Sequence, residues 1–152
     1  MARAVSPAVG VVVLVSVTVV LAATVAAALP ASLAAGPPVA RLALAADAGP
    51  DRVALTHRGG DPLNVTHLAV TVRIEGEPLA RQPPVPFFAA NGFAGGPTGP
   101  FNRAADPDWT AGETASVRLA ATNRPGMAPG DRVTVRLSTD RGVVATLETR
   151  AD

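Results

Sequence analysis

The chain has 152 residues, 48% of them hydrophobic and only 16% charged, with a formal net charge of +1. It contains no cysteine, which excludes a disulfide framework and thiolate chemistry. All 13 basic residues are arginine, scattered singly rather than in a run or stripe, so the electrostatic footprint of a nucleic-acid binder is missing. The arginine-only usage, with abundant Ala, Gly, Pro and Val, fits a coding bias toward GC-rich codons.

Between Arg3 and Arg41 there is no charged side chain. Residues 1–4 form a stub with one positive charge, and an apolar segment follows from Val5 to Leu29. As a helix rising roughly 1.5 Å per residue, Val9 to Leu29 reaches about 31 Å, the hydrocarbon thickness of a bilayer. Its β-branched richness weakens a helix in water. In lipid, however, every backbone group must be bonded internally, which forces one. Ser16, Thr18 and Thr24 are the polar residues of Val9–Leu29, and each can return its hydroxyl to a carbonyl one turn earlier. Pro7 suits the first turn, and Pro30 ends the segment. Arg3 in front predicts the N-terminus inside and everything after Pro30 outside. Residues 30–38, with Gly36-Pro37-Pro38, read as a short linker of limited flexibility.

From Val39 the periodicity turns from continuous to alternating. Leu42 and Leu44 open the pattern, and Val53 and Leu55 continue it. Leu68, Val70, Val72 and Ile74 give the cleanest period-2 run, followed by Val117 and Leu119, then Val133, Val135 and Leu137, then Val143, Ala145 and Leu147. Turn signals separate these runs, among them Gly59-Gly60-Asp61-Pro62, Pro125-Gly126, Pro129-Gly130-Asp131 and Thr139-Asp140-Arg141-Gly142. The last two runs are close enough to predict a hairpin around Asp140 to Gly142. About six short strands, each apolar on one face, predict an all-β antiparallel sandwich-like head over residues 39–152.

Pro83 to Asn102 breaks the rhythm and holds all four phenylalanines, with Trp109 a few residues on. So long an irregular loop in a compact domain is often functional. The expectation is that Phe87, Phe88, Phe93 and Phe101 fold back over one open end of the sandwich, with partner contact as the alternative.

Chemistry is sparse. Asn64-Val65-Thr66 is an N-glycosylation sequon on a loop ahead of a strand, or an Asx turn. His57 and His67 flank a turn, and with Asp61 as the nearest third ligand they read as polar strand-end residues rather than a metal site. Asp106-Pro107-Asp108 lacks the spacing and the bidentate glutamate of a calcium loop. Asp61, Asp108 and Glu113 read as solvated turn carboxylates. No nucleophile elbow, phosphate-cradling loop or His-Glu-x-x-His is present. Neither catalytic activity nor a cofactor is expected.

The segment Arg3-Ala4-Val5-Ser6-Pro7-Ala8-Val9-Gly10, running on through Val11-Val12-Val13-Leu14-Val15-Ser16-Val17-Thr18-Val19-Val20-Leu21-Ala22-Ala23, closely resembles the N-terminal region of archaeal type IV pilin-like proteins, particularly those of halophiles. The resemblance covers about residues 3–29. It implies a leader of residues 1–4, cut by a membrane-embedded prepilin peptidase between Ala4 and Val5, with Arg3, Ala4 and Val5 presenting the scissile site. It also implies that residues 5–29 anchor the subunit in the membrane and later join the filament core beside other pilin subunits. Gly10, Ala22, Ala23 and Ala26 are small enough to let neighbouring helices approach. The head would then stand at the cell surface or on the pilus, exposed for adhesion. Two other readings of the apolar segment are a secretory signal peptide cut near Ala26-Ala27-Ala28 and an uncleaved anchor. Either would leave a tethered or secreted β-sandwich binding domain with no filament role, its 83–102 loop facing the ligand.

Overall fold

The computed structural model describes residues 7–28 and 36–152. It is an N-terminal apolar helix followed by an all-β antiparallel head, and the chain divides after Gly36 into two units.

Helix α1 spans Pro7–Ala28, with Pro7 at its first position, where the missing N–H needs no partner. The three hydroxyls inside it behave as their positions require. Ser16 Oγ donates to the Val12 carbonyl at 2.7 Å, Thr18 Oγ1 to Leu14 at 2.8 Å, and Thr24 Oγ1 to Leu21 at 2.8 Å. Each polar side chain is thereby folded back onto the helix, and its surface is hydrocarbon in every direction.

In the head, β1 (Ala40–Asp47), β2 (Arg52–Gly60) and β7 (Thr114–Arg118) form one antiparallel sheet in the order β1-β2-β7. The second sheet runs β5-β4-β8-β9, from Glu77–Pro78, Ala69–Ile74, Arg132–Thr139 and Gly142–Arg150. A two-residue ribbon joins β3 (Leu63–Asn64) to β6 (Asp108–Trp109). The six strands of five residues or more are the alternating runs of the sequence, and β8 and β9 form the expected hairpin. Alternation is strong because each sheet buries one face and leaves the other toward solvent.

The inward faces supply one core: Val53 and Leu55 of β2, Ala115 and Val117 of β7, Val70, Val72 and Ile74 of β4, and Val133, Val135 and Leu137 of β8. At one edge the sheets meet. Asp152 N donates to the Ala46 carbonyl at 3.0 Å, and Ala48 N donates to the Asp152 carbonyl at 2.9 Å. These bonds tie the last residue of the chain to the end of β1.

The segment after β5 has no periodicity because it is held by single bonds rather than a ladder of its own. Thr98 and Ser116 exchange backbone hydrogen bonds at 2.9 and 3.3 Å, and Ala94 N donates to Arg118 O at 2.9 Å. The loop thus lies along the outer edge of β7 and covers groups that would otherwise template strand addition. Phe87, Phe93 and Phe101 fold back into the core from beside the edge of β7, but Phe88 does not: it is 58% exposed. Its neighbour Phe87 claims the inward direction, and adjacent residues of extended backbone face opposite ways.

Candidate functional site

The leader residues Arg3, Ala4 and Val5 lie outside the described residues, as do Ser6 and residues 29–35 of the helix end and linker. Within α1 the side chains from Pro7 to Val25 are all exposed, with Leu14 at 67% and Val12 at 64%. This helix is long and apolar enough to cross a membrane, with no Asp, Glu, Lys or Arg between Pro7 and Val25. Of the small residues expected at a helix interface, Gly10 has open space around it. At 100° per residue, Ala22 and Ala23 stand on adjacent faces of α1 and Gly10 more than a quarter-turn from either. Ala26 lies one turn beyond Ala22. The four therefore do not make a single stripe, and close approach would use more than one side of the helix.

In the head, Asn64 is exposed and precedes a 3₁₀ turn, Val65–His67, as its N-cap. Its Oδ1 accepts from Thr66 N at 3.0 Å and from the Thr66 hydroxyl, so the sequon is folded as an Asx turn. Its Nδ2 donates to Asp108 Oδ1 at 2.9 Å across the β3–β6 ribbon. The sequon and the Asx turn are the same object, on the surface, with the amide nitrogen turned toward a carboxylate.

His57 is a core residue rather than a strand-end residue. It is fully buried, its ring packs edge-on against Trp109 with centroids 5.9 Å apart, and both ring nitrogens are used. Gly59 N donates to Nδ1 at 3.2 Å, which makes Nε2 the protonated nitrogen that donates to the Asp61 carbonyl at 2.9 Å. The turn so fixed holds the start of β1: Val39 N donates to Asp61 Oδ2 at 2.9 Å, and Asp61 N donates to Val39 O at 2.8 Å. His67, by contrast, is exposed in the 3₁₀ turn. Among the described residues, no three of His, Asp and Glu gather in an arrangement able to hold a metal ion.

The carboxylates singled out in the sequence serve local structure. Asp61 holds Val39, Asp108 holds Asn64, and Glu113 Oε2 accepts from Thr110 N at 2.7 Å and Thr110 Oγ1 at 3.0 Å. Sequence reasoning missed the polar residue that organises the irregular loop, Asn123. It is 1% exposed and bonds to Arg81 and Gly92 across the loop's two arms. Its position between Thr122 and Arg124, in a stretch without periodicity, carries no sign of this.

No family model matches this chain, and no curated protein matches it.

Proposed function

We propose that the protein is an archaeal type IV pilin-like surface subunit, anchored and then polymerised through its N-terminal helix. The observation that carries this reading is α1 itself: a 22-residue helix with hydrocarbon on every side and its hydroxyls tied back to its own carbonyls. Such a surface is satisfied by lipid or by like helices and by little else. Transfer from one to the other exchanges apolar surroundings for apolar surroundings, so extraction into a filament needs no large solvation change. The sequence Arg3-Ala4-Val5 ahead of it supplies the charge and small residue at which a prepilin peptidase would cut. The β head, carrying Asn64 on its surface as a glycosylation site, then stands outside the cell and acts by contact rather than catalysis.

A tethered binding domain with no filament role is the second reading, favoured by the spread of small residues over several faces of α1 instead of one packing stripe. Mass spectrometry of the N-terminus of protein purified from native membranes separates the two. A mature chain starting at Val5 with its helix retained is the expected result. An intact start would leave the tethered domain, and a start between about Ala27 and Gly36 would overturn both the anchor and the filament.

A further inference from the structure

The outward face of the β4–β8–β9 sheet differs from the rest of the head in what its polar groups do. On the other sheet, hydroxyls pair with each other: Thr56 with Thr114 at 2.9 Å, and Thr98 with Ser116 at 2.7 Å. On this face, Thr71, Arg73, Thr134, Arg136, Ser138 and Thr146 line a shallow groove of about 450 Å³. Among the described residues, none of the four hydroxyls, nor the Arg136 guanidinium, has a hydrogen-bond or ion-pair partner. The register places them together. Arg136 stands between Thr71 on β4 and Thr146 on β9, and Arg73 stands one row along, opposite Thr134. Diagonal neighbours on adjacent strands are about 7–8 Å apart, so an anionic group between the two arginines is within reach of both.

Two carboxylates border this pair, and Arg132, next along the same face, holds both. Glu148, opposite Thr134, is bound by Arg132 Nε at 3.3 Å, and Glu75 accepts from the Arg132 backbone N–H. Arg73 keeps one donor on the Gly76 carbonyl at 3.1 Å, which fixes its stem and leaves its other donors open. The result is a groove with two cations, four free hydroxyls, and neither aromatic nor large apolar side chain.

From this we infer that the groove binds an acidic polysaccharide, the arginines taking its carboxylate or sulfate groups and the hydroxyls its ring oxygens and hydroxyls. Guanidinium–oxyanion bonds supply the strong, salt-sensitive contacts. Rows of hydroxyls suit a chain of hydroxyls, which can donate and accept in turn. Polynucleotide is disfavoured because no aromatic side chain lines the groove to stack a base; Arg132 and Arg150, next along the same face, are held by Glu148 and the Gly130 carbonyl. A membrane surface is disfavoured because no apolar side chain lines the groove, and Val143, exposed beside Ser138, offers too little apolar area to insert. The inference deepens the surface-contact part of the proposed function and rests on the head lying outside the cell.

The test is equilibrium binding of the full chain in detergent micelles to immobilised polygalacturonate, dextran sulfate and neutral dextran, at low and high salt. Retention on at least one of the acidic polymers, weakened by salt, and none on neutral dextran is expected; the stronger of the two identifies the anion. Arg73→Gln and Arg136→Gln should each weaken binding about tenfold. Thr71→Val with Thr146→Val should weaken it further without changing charge, and Arg103→Gln, of equal charge loss on the loop side, should leave it unchanged. All these residues are exposed or half-buried, so the variants should keep the wild-type fold, which chemical unfolding followed by Trp109 checks. Wild-type chain that binds neither acidic polymer would overturn the inference, as would an equal loss in Arg103→Gln. So would binding of single-stranded polynucleotide through Arg73 and Arg136 as tight as that of the saccharides. The start of the mature chain is unaffected by these outcomes, so failure here and failure of the filament reading are separately visible.

Discussion

Replacing Asn123 should uncouple the irregular loop from the sandwich, and the size of the effect follows from its bonds. The Asn123 amide spans two arms of chain. Oδ1 accepts from Arg81 N at 3.0 Å, while Nδ2 donates to Arg81 O at 2.9 Å and to Gly92 O at 3.1 Å. In Asn123→Ala, Gly92 O keeps its bond from Ala120 N, but both backbone groups of Arg81 lose their partner. Two orphaned groups at about 1–3 kcal/mol each, reduced because Arg81 is itself exposed and water reaches it, give a loss of about 2–4 kcal/mol. For a domain of this size that lowers the melting temperature by roughly 10–20 °C. Asn123→Asp sharpens the argument through its sign. A carboxylate there faces two carbonyl oxygens and no donor but Arg81 N, so burial and repulsion raise its folded-state pKa above the unfolded value of about 3.9. A raised pKa means that its contribution to stability is present in full below about pH 4, where the protonated acid donates to one carbonyl. That contribution is lost as pH rises through the folded-state pKa. Asn123→Asp should therefore be the less stable variant at pH 7 and should close on Asn123→Ala toward pH 4. Chemical unfolding followed by Trp109, the single and fully buried tryptophan, reads this directly. An Asp variant as stable as wild type at pH 7, or a gap between the two variants that does not move with pH, would refute the bonding pattern.

Two further substitutions probe other parts of the chain. Leu14→Arg puts a charge in the middle of α1, which at the centre of a bilayer costs about 2.5–3.5 kcal/mol on insertion scales; the variant should shift from the membrane fraction toward the carbonate-extractable fraction, and normal retention would contradict a spanning helix. Gly99→Ala should destabilise the head by several kcal/mol in the same unfolding assay. A Cβ there would lie 2.1 Å from the Thr114 carbonyl oxygen at a φ of +61°, so backbone as well as side chain must move; a variant with unchanged stability would show that the loop is not pressed against β7.

Which parts of this fold are legible in the sequence follows from how each part is held. β4 and β8 are readable because their inward positions are all aliphatic and their outward ones mostly Thr, Arg or Ser, so burial on one face writes itself as period 2. In β2 the same alternation passes through Val53, Leu55 and His57, and its last member is disguised. A histidine reads as polar until the backbone of its own turn is seen to satisfy both ring nitrogens. The β3–β6 ribbon is two residues long on each side, too short for any period, yet it positions Asn64 beside Asp108. The irregular loop is set by Asn123 and by single bonds to β7, contacts made across 18 to 42 residues of chain that leave no local trace. The helix is at the other extreme. Its character comes from composition alone, and each of its three hydroxyls finds the carbonyl that its own spacing dictates. The polar groove shows a third case, since every residue in it was visible as the outward half of an alternating strand. What sequence does not reveal is the register that sets Arg136 between two threonines and gives Glu148 to Arg132 instead.

That same contrast bears on how the helix and the head can have separate duties. A helix with one apolar stripe must find one particular partner, because its polar side excludes lipid and its apolar side excludes water. α1 has no polar side, so in the proposed function its choice between lipid and neighbouring helices rests on packing alone, through residues as small as Gly10, Ala22 and Ala23. Packing differences between such surroundings are modest, since van der Waals contact exists in both and no apolar area returns to water. Commitment to one of them therefore has to come from something other than the apolar surface. In the proposed function that is removal of the Arg3-bearing stub, which takes away the one side chain before Arg41 that ties the segment to the inner membrane face. On this argument Arg3→Gln alone should weaken orientation in the membrane without altering the helix. Loss of the cut at Ala4, by contrast, should hold the chain in the membrane with its head displayed and its polysaccharide groove intact.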